Sequence, residues 1–544
     1  MGIYLNPGCE NFKRSLSSAI YIDKSMLISV VNSQINTQQM YMCLSRPRRF
    51  GKTMGLDMLA AYYAYGQDSR ALFDGLKIKG DPSYEEHINR YDVIKLNITQ
   101  FTGRETSVEA ALAKLERYVL FDLLDAYEQK VRLRDEKDLI QTLNDVYAST
   151  GRQFIFLIDE WDCLFREYKE DTASQKKYLD FLRNLLKDQP YVALAYMTGI
   201  LPVKKYGTHS ALNMFDEYSM INPGELAPYF GFTEEEVEVL CKGNGMSFEE
   251  ARSWYDGYQL YYKTGEPGRK EKRRISVYSP KSMVAAVMNG EFDTYWNNTE
   301  TYEALKVYIE MNFDGLRDRI VRMIAGEKIP VNSGTFTNDM TTFATADDVL
   351  SLLIHLGYLS YDYEEKTVRI PNREVSIEFT NAIRVIGSYG EVSKSIEASK
   401  ALLTALIEGD ADAVSAGLSR AHEEISILTY NDENSLSCAI TLAFYYAREY
   451  YTIIRELPAG KGFADIAFIP RRIHADKPAL LIELKKDHTA GGAIDQIKEK
   501  NYPDALKEYS GNLLLCGINY DSKTKEHTTV IEEAGVPRNG RERS

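Results

Sequence analysis

Several familiar signals are missing from this sequence, and each absence narrows what the chain can be. Its 544 residues include only six cysteines (Cys9, Cys43, Cys163, Cys241, Cys438, Cys516), and none forms a CxxC pair. That scatter excludes a disulfide framework and a zinc ribbon. The seven histidines are equally dispersed and form no HExxH, so structural zinc is not expected. No apolar run reaches the roughly 18 residues of a membrane span; the longest, around Val192–Leu201, is about half that. Met1-Gly2-Ile3-Tyr4-Leu5-Asn6-Pro7 has no charged region leading into an apolar one, and Asn6 stands where myristoylation needs Ser or Thr. The expectation is a cytoplasmic protein with no membrane partner. Repeats and low-complexity tracts are also lacking, which excludes solenoids and disordered arrays. Finally, there is no basic excess: 65 Lys and Arg face 79 Asp and Glu, a net charge of −14. Bulk electrostatic coating of nucleic acid is thereby disfavoured, while a local basic groove is not.

What is present is ordinary globular material, 44% hydrophobic and 26% charged, long enough for several cores. The first 230 residues alternate between the two periodicities. Strands are expected at Gln39–Ser45, Val93–Ile98, Phe154–Ile158 and Tyr191–Met197, and helices at Met54–Tyr65, Val108–Lys130 and Lys176–Lys187. Short apolar strands alternating with helices imply βαβ units around a parallel sheet. From about 231 to 392 the expectation is a middle region of tyrosine-rich helices. It includes a winged-helix-like unit: a helix over Thr345–Gly357, then a hairpin of Tyr358–Asp362 and Thr367–Ile370. Over 393–544 a helical stretch leads into an α-β-β-β-α-β order with apolar central strands. Of the basic clusters, Arg269–Arg274 reads as a solvated face or a polymer contact.

Two constellations carry chemistry. In the first, Ser45-Arg46-Pro47-Arg48-Arg49-Phe50-Gly51-Lys52-Thr53 follows a strand and opens a helix, so its amides and the helix N-terminus would face a phosphate. Lys52 would reach the β- and γ-phosphates of ATP, and the Thr53 hydroxyl would bind Mg²⁺. The first glycine of the usual GxxxxGK[ST] loop is replaced by Arg46. A second half supports the first: the apolar run Phe154–Ile158 ends in Asp159 and Glu160. Asp159 is placed to hold the Mg²⁺ through water, and Glu160 to polarise an attacking water.

The second constellation lies near the C-terminus. Asp465 is followed 18 residues on by Glu483, with Lys485 on the same strand face as Glu483 because side chains alternate with period two. On neighbouring strands the two carboxylates could share a divalent metal, Mg²⁺ or Mn²⁺. The lysine would orient or deprotonate water and offset charge on a phosphorane. The competing reading is a structural salt bridge of Lys485 with either acid.

These runs, together with Tyr21-Ile22-Asp23-Lys24, Thr198–Gly207, Ser210–Asn213 and Trp254–Tyr258, resemble the bacterial AAA-ATPase-like family over essentially the whole chain. Its phosphate loop also lacks the first glycine. The resemblance implies an N-terminal P-loop ATPase domain over 1–230 and a C-terminal α/β, restriction-endonuclease-like domain of the PD-(D/E)XK type over 393–544. It implies that Arg46, Pro47, Arg48, Arg49, Phe50, Gly51, Lys52, Thr53 and Asp159 hold the nucleotide, and that Thr198 faces the γ-phosphate. Lys204 or Lys205 would neutralise transition-state charge. In the C-terminal domain it implies Asp465 and Glu483 as metal ligands, Lys485 as catalytic lysine and Gln496 as a helix-borne auxiliary. Glu433 would complete the site, with Glu456 and Tyr502 as further matching positions. One departure is visible: where the helix after Glu433 usually ends in aromatic-His, this chain has Leu436 and Ser437. The expected function is an ATP-binding and ATP-hydrolysing protein coupled to a Mg²⁺-dependent nuclease acting on nucleic acid, DNA first, with RNA left open because 2′-OH recognition leaves no short motif. The alternative is a regulatory ATPase switch whose nuclease-like domain binds without cleaving. A homo-oligomer stays open, since AAA-type ATPases often form rings.

Overall fold

The computed structural model describes residues 2–534 except 103–104, 106, 204–211, 265–270, 297–301, 312, 314, 337–342, 425–432, 460–461, 501–505, 507–508 and 510–511. The chain forms two compact units, one of residues 1–301 and 330–377, the other of 302–329 and 378–544. The stretch 231–392, expected as a middle region, is shared between them.

The first unit is built on five parallel strands, β1 (Tyr41–Ser45), β2 (Asp92–Asn97), β3 (Phe154–Asp159), β4 (Val192–Gly199) and β5 (Asp216–Tyr218), in the order β2-β3-β4-β1-β5. Alternate residues of β3 feed opposite cores: Phe154, Phe156 and Ile158 join one, Ile155 and Leu157 the other. A strand apolar on both faces can only sit in a sheet covered on both sides. Helices Lys52–Tyr63, Val108–Tyr127, Leu139–Thr150 and Thr172–Leu186 accompany the sheet.

The helix and hairpin expected over 345–370 are both present. Thr345 caps helix Ala346–Leu356 in a reciprocal box with Asp348, and Gly357 ends it with φ 87°. The hairpin of Ser360–Asp362 and Thr367–Arg369 follows. The stretch before it is not purely helical, however. Tyr258–Thr264 and Glu271–Tyr278 pair antiparallel, with Tyr261 opposite Arg274. Charged residues fill that hairpin's exposed positions, which hides the two-residue period from a hydrophobicity reading.

In the second unit, β6 (Tyr451–Ala459), β7 (Gly462–Pro470), β8 (Ala479–Lys486), β9 (Leu513–Asp521) and β10 (Glu526–Glu533) form one sheet in that order. Only β8 and β9 run parallel. The final strand β10 was not expected. Helix Glu433–Ala443 stops before Arg448, its continuation being a 3₁₀ turn at Tyr445–Glu449. Thr489 caps helix Ala490–Glu499 by accepting from Gly492 N at 3.0 Å. The excursion 302–329 belongs here because buried Glu327 accepts from Arg322 Nε at 2.8 Å and pairs with Arg455 Nη1 of β6 at 3.2 Å. Among the described residues no helix is long and apolar enough to cross a membrane.

Candidate functional site

In the first unit the loop between β1 and helix Lys52–Tyr63 turns through left-handed backbone at Arg49 (φ 69°) and Gly51 (φ 88°). Lys52 is buried, and its Nζ donates to the loop carbonyls of Arg46 and Pro47, both at 3.0 Å. Burial pulls its ammonium below the ordinary lysine range, while the charges of Glu160, Asp159 and Asp162 pull the other way. Thr53 Oγ1 donates to Asp159 Oδ2 at 2.7 Å, joining the loop to the end of β3. Asp159 Oδ1 accepts from Thr198 Oγ1 at 2.6 Å and from Glu160 N at 3.0 Å. The sheet thus brings Thr53, Asp159 and Thr198 to one place, because β4 lies between β1 and β3. A hydroxyl and a carboxylate are hard oxygen donors of the kind Mg²⁺ takes, so this set fits that ion.

A cavity of about 750 Å³ opens in front of the loop, lined by Arg48 to Thr53 and by Glu160. Its other walls bring residues that sequence reading assigned no role: apolar Ile22, Phe232 and Val284, and the cations Lys24 and Lys281. Of these, Ile22 and Lys24 had a signal, as part of the Tyr21–Lys24 run. Arg46, expected at the nucleotide, faces inward instead. Its guanidinium is fully buried, and Nη1 donates to Ser45 O at 2.9 Å and to Tyr218 O of β5 at 3.0 Å. Burial lowers its pKa to about 10. Arginine at the first-glycine position therefore ties the loop's start to β5. Pro47 is also buried, against Gly357. Lys204 and Lys205 lie outside the described residues.

In the second unit the ladder between β7 and β8 ends at Ile466 opposite Ile482, and the next step of that register places Asp465 opposite Glu483. Asp465 Oδ2 accepts from Leu484 N at 2.7 Å. Glu483 is buried, with 2% of its surface exposed. Its Oε1 accepts from Lys485 Nζ at 3.3 Å and from Gln496 Nε2, while its buried Oε2 has no hydrogen-bond partner among the described residues. Burial first, and then the nearby charge of Asp465, push its pKa up to about 7. An orphaned carboxylate oxygen beside a second carboxylate is what a divalent cation would compensate, so the residues present fit such an ion. Glu456, exposed and in left-handed backbone (φ 52°), lies on β6 between the registered pairs Arg455–Ile466 and Leu457–Ala464, the same gap that holds Asp465 on β7. Glu433 opens helix Glu433–Ala443, but its side chain lies outside the described atoms, as does Tyr502 altogether. Among the described residues no group of three metal-ligating side chains gathers.

Comparison with known proteins finds two family models that match stretches of this chain. Residues 7–208 match the family model of the AAA-ATPase-like proteins, described as predicted AAA-ATPase. Residues 431–530 match that of the PD-(D/E)XK nuclease superfamily. A relative from Azotobacter chroococcum mcd 1, called an uncharacterized protein in the vnfD 5'region, is 23% identical over 534 residues, spanning 94% of this chain and 95% of its own. Similar solved structures include the Aeropyrum pernix ORC2 protein in ADPNP–ADP complexes, 11% identical over 68% of this chain and 98% of that one, with TM-score 0.30. Another is the Aeropyrum pernix ORC1 protein in complex with DNA, 11% identical over 70% and 97%, with TM-score 0.25. The chain carries an AAA-ATPase-like domain over 7–208 and a PD-(D/E)XK nuclease superfamily domain over 431–530.

Proposed function

We propose that this protein binds and hydrolyses ATP in its first unit and cleaves phosphodiester bonds of nucleic acid, DNA foremost, in its second. The observation that carries the cleavage reading is Glu483: a buried carboxylate with an oxygen that has no partner among the described residues, one register step past Ile466 and Ile482 with Asp465, and two residues before Lys485. Burying such charge is costly unless the site uses it. Asp465 and Glu483 would hold a divalent cation, Mg²⁺ or Mn²⁺, and Glu433 is proposed as a further ligand. A bound cation supplies Lewis acidity toward the scissile phosphate. Lys485 orients the attacking water and offsets charge developing on the phosphorane, and Gln496 fixes the Glu483 carboxylate.

At the other site the cationic loop and Lys52 take the phosphates, and Thr53 and Asp159 would hold Mg²⁺. Thr198 sits behind Asp159 toward the γ-phosphate, and Glu160 orients the attacking water. The apolar wall of Ile22, Phe232 and Val284 takes the base. A cytoplasmic setting accords with this use of ATP.

The test compares native protein with Glu483→Ala and Lys52→Ala on plasmid and single-stranded DNA, with Mg²⁺ or Mn²⁺ and with or without ATP. Metal-dependent cutting lost in Glu483→Ala is the expected result, with further loss in Lys52→Ala if ATP drives it. One observation favours the second reading, a regulatory switch that binds without cutting: only two carboxylates, Asp465 and Glu483, converge among the described residues. Lys52-dependent ATP hydrolysis with no cutting of either DNA form would select it, or an RNA target.

A further inference from the structure

Glu160 is held at the cavity by a neighbour that sequence spacing did not single out. Arg166 Nη2 donates to Glu160 Oε2, and its Nε pairs with Asp162 Oδ2 at 3.3 Å. Arg166 lies on the short helix Cys163–Glu167, one turn beyond Asp162. Asp162 Oδ2 in turn accepts from Ile200 N at 3.0 Å and Leu201 N at 2.8 Å, the first residues beyond β4. Gly199 permits that approach, since a Cβ there would stand 2.7 Å from Asp162 Oδ1 and from the Trp161 ring. The pair is not a surface one: the side chains of Arg166, Glu160 and Asp162 are 11%, 22% and 0% exposed. Exposed ion pairs contribute little, whereas removing one partner of a buried pair leaves an uncompensated charge. Glu160 also occupies left-handed backbone (φ 52°), which a residue with a Cβ adopts only when its surroundings hold it there.

We infer that Arg166 is a positioning residue for Glu160: its guanidinium fixes the carboxylate over the cavity and, through Asp162, joins it to the backbone leaving β4. The water-orienting group and the residues that follow Thr198 and Gly199 are then one mechanical unit. This rests on the reading of Glu160 as the group that orients the attacking water.

The experiment uses the full chain with Arg166→Gln, Arg166→Lys and Glu160→Gln. It measures steady-state ATP hydrolysis, affinity for a fluorescent ATP analogue with Mg²⁺, and the thermal midpoint. Arg166→Gln is expected to lower kcat by about 10- to 100-fold while leaving nucleotide affinity within about threefold. Arg166→Lys should recover part of the kcat, because a cation alone can hold the carboxylate loosely. Should the Gln variant fail to fold, the same split between kcat and affinity is read from the Lys variant. A kcat within about twofold of native in Arg166→Gln overturns the inference. So does a kcat loss matched by equal losses of affinity and thermal midpoint, which marks a merely structural residue. Full activity in Glu160→Gln overturns the reading of Glu160 itself, and the inference falls with it.

Discussion

Asp465 and Glu483 follow one step past the last registered pair of β7 and β8, and Leu484 N donates to the Asp465 side chain. The registered pairs of β7 and β8 stop at Ile466 and Ile482, where the two carboxylates follow. Like charges at that spacing repel, which makes the pair costly in the absence of a cation.

Replacing Glu483 by Gln keeps the shape and the bonds from Lys485 and Gln496 but removes the buried charge. In chelator the variant should be no less stable than native protein, and more stable by about 1–3 kcal/mol if the orphaned oxygen is as isolated as its surroundings indicate. Metal-dependent cleavage should vanish, and Mg²⁺ should no longer raise the thermal midpoint. A stabilising effect of Mg²⁺ undiminished in Glu483→Gln would place the cation elsewhere.

Thr53→Val removes the hydroxyl that bonds Asp159 while preserving the branch. Nucleotide affinity without Mg²⁺ should be nearly unchanged, and the tightening that Mg²⁺ confers should fall by about tenfold or more. Calorimetric titrations with and without Mg²⁺ separate the two. Equal Mg²⁺ dependence in both proteins would remove Thr53 from the ion's coordination.

Gly357 couples the end of helix Ala346–Leu356 to the phosphate loop. Its φ is 87°, and an added Cβ would meet Pro47 Cβ at 2.8 Å and the Trp296 ring at 3.1 Å. Gly357→Ala should cost about 2–4 kcal/mol, from backbone strain and overpacking together. It should also weaken nucleotide binding, since Pro47 directly precedes Arg48. Gly75→Ala, where a Cβ meets nothing within 4 Å, is the matching control. Equal effects at the two positions in chemical denaturation would contradict this account.

His527 is buried between His422 and Tyr520, whose ring centroids lie 5.3 Å and 5.1 Å away, and neither of its ring nitrogens has a hydrogen-bond partner among the described residues. Burial, and then the neighbouring His422, lower its pKa to about 3. Between that value and the ordinary histidine value of about 6.5 the unfolded chain binds the proton and the folded chain does not. Its contribution to stability is therefore complete above pH 6.5 and is lost as pH falls toward 3, by at most about 1.4 kcal/mol per pH unit. His527→Phe should flatten the stability-against-pH curve of this unit over that window. An unchanged slope would show that His527 does not set it.

The amino-acid sequence by itself determined the parallel sheet of the first unit and the two chemical constellations. Strands buried on both faces read as short apolar runs, as Phe154–Ile158 does, and Asp159 or Glu483 at the end of such a run is conspicuous because charge there is costly. Thr345 and Gly357 likewise marked their helix, since caps act within one turn. The hairpin Tyr258–Tyr278 and strand β10 escaped because their polar, exposed positions blur the two-residue period. What only the tertiary structure decided are contacts between residues distant in the chain. Arg46 bonds Tyr218, 172 positions away, and so braces the sheet. Glu327 meets Arg455 and draws 302–329 into the second unit. Arg166, six residues from Glu160, was near in sequence but silent, because neither periodicity nor spacing tells which way a guanidinium turns on a short helix. Local patterns carry local energies; direction and partnership across the fold arise only when the elements pack.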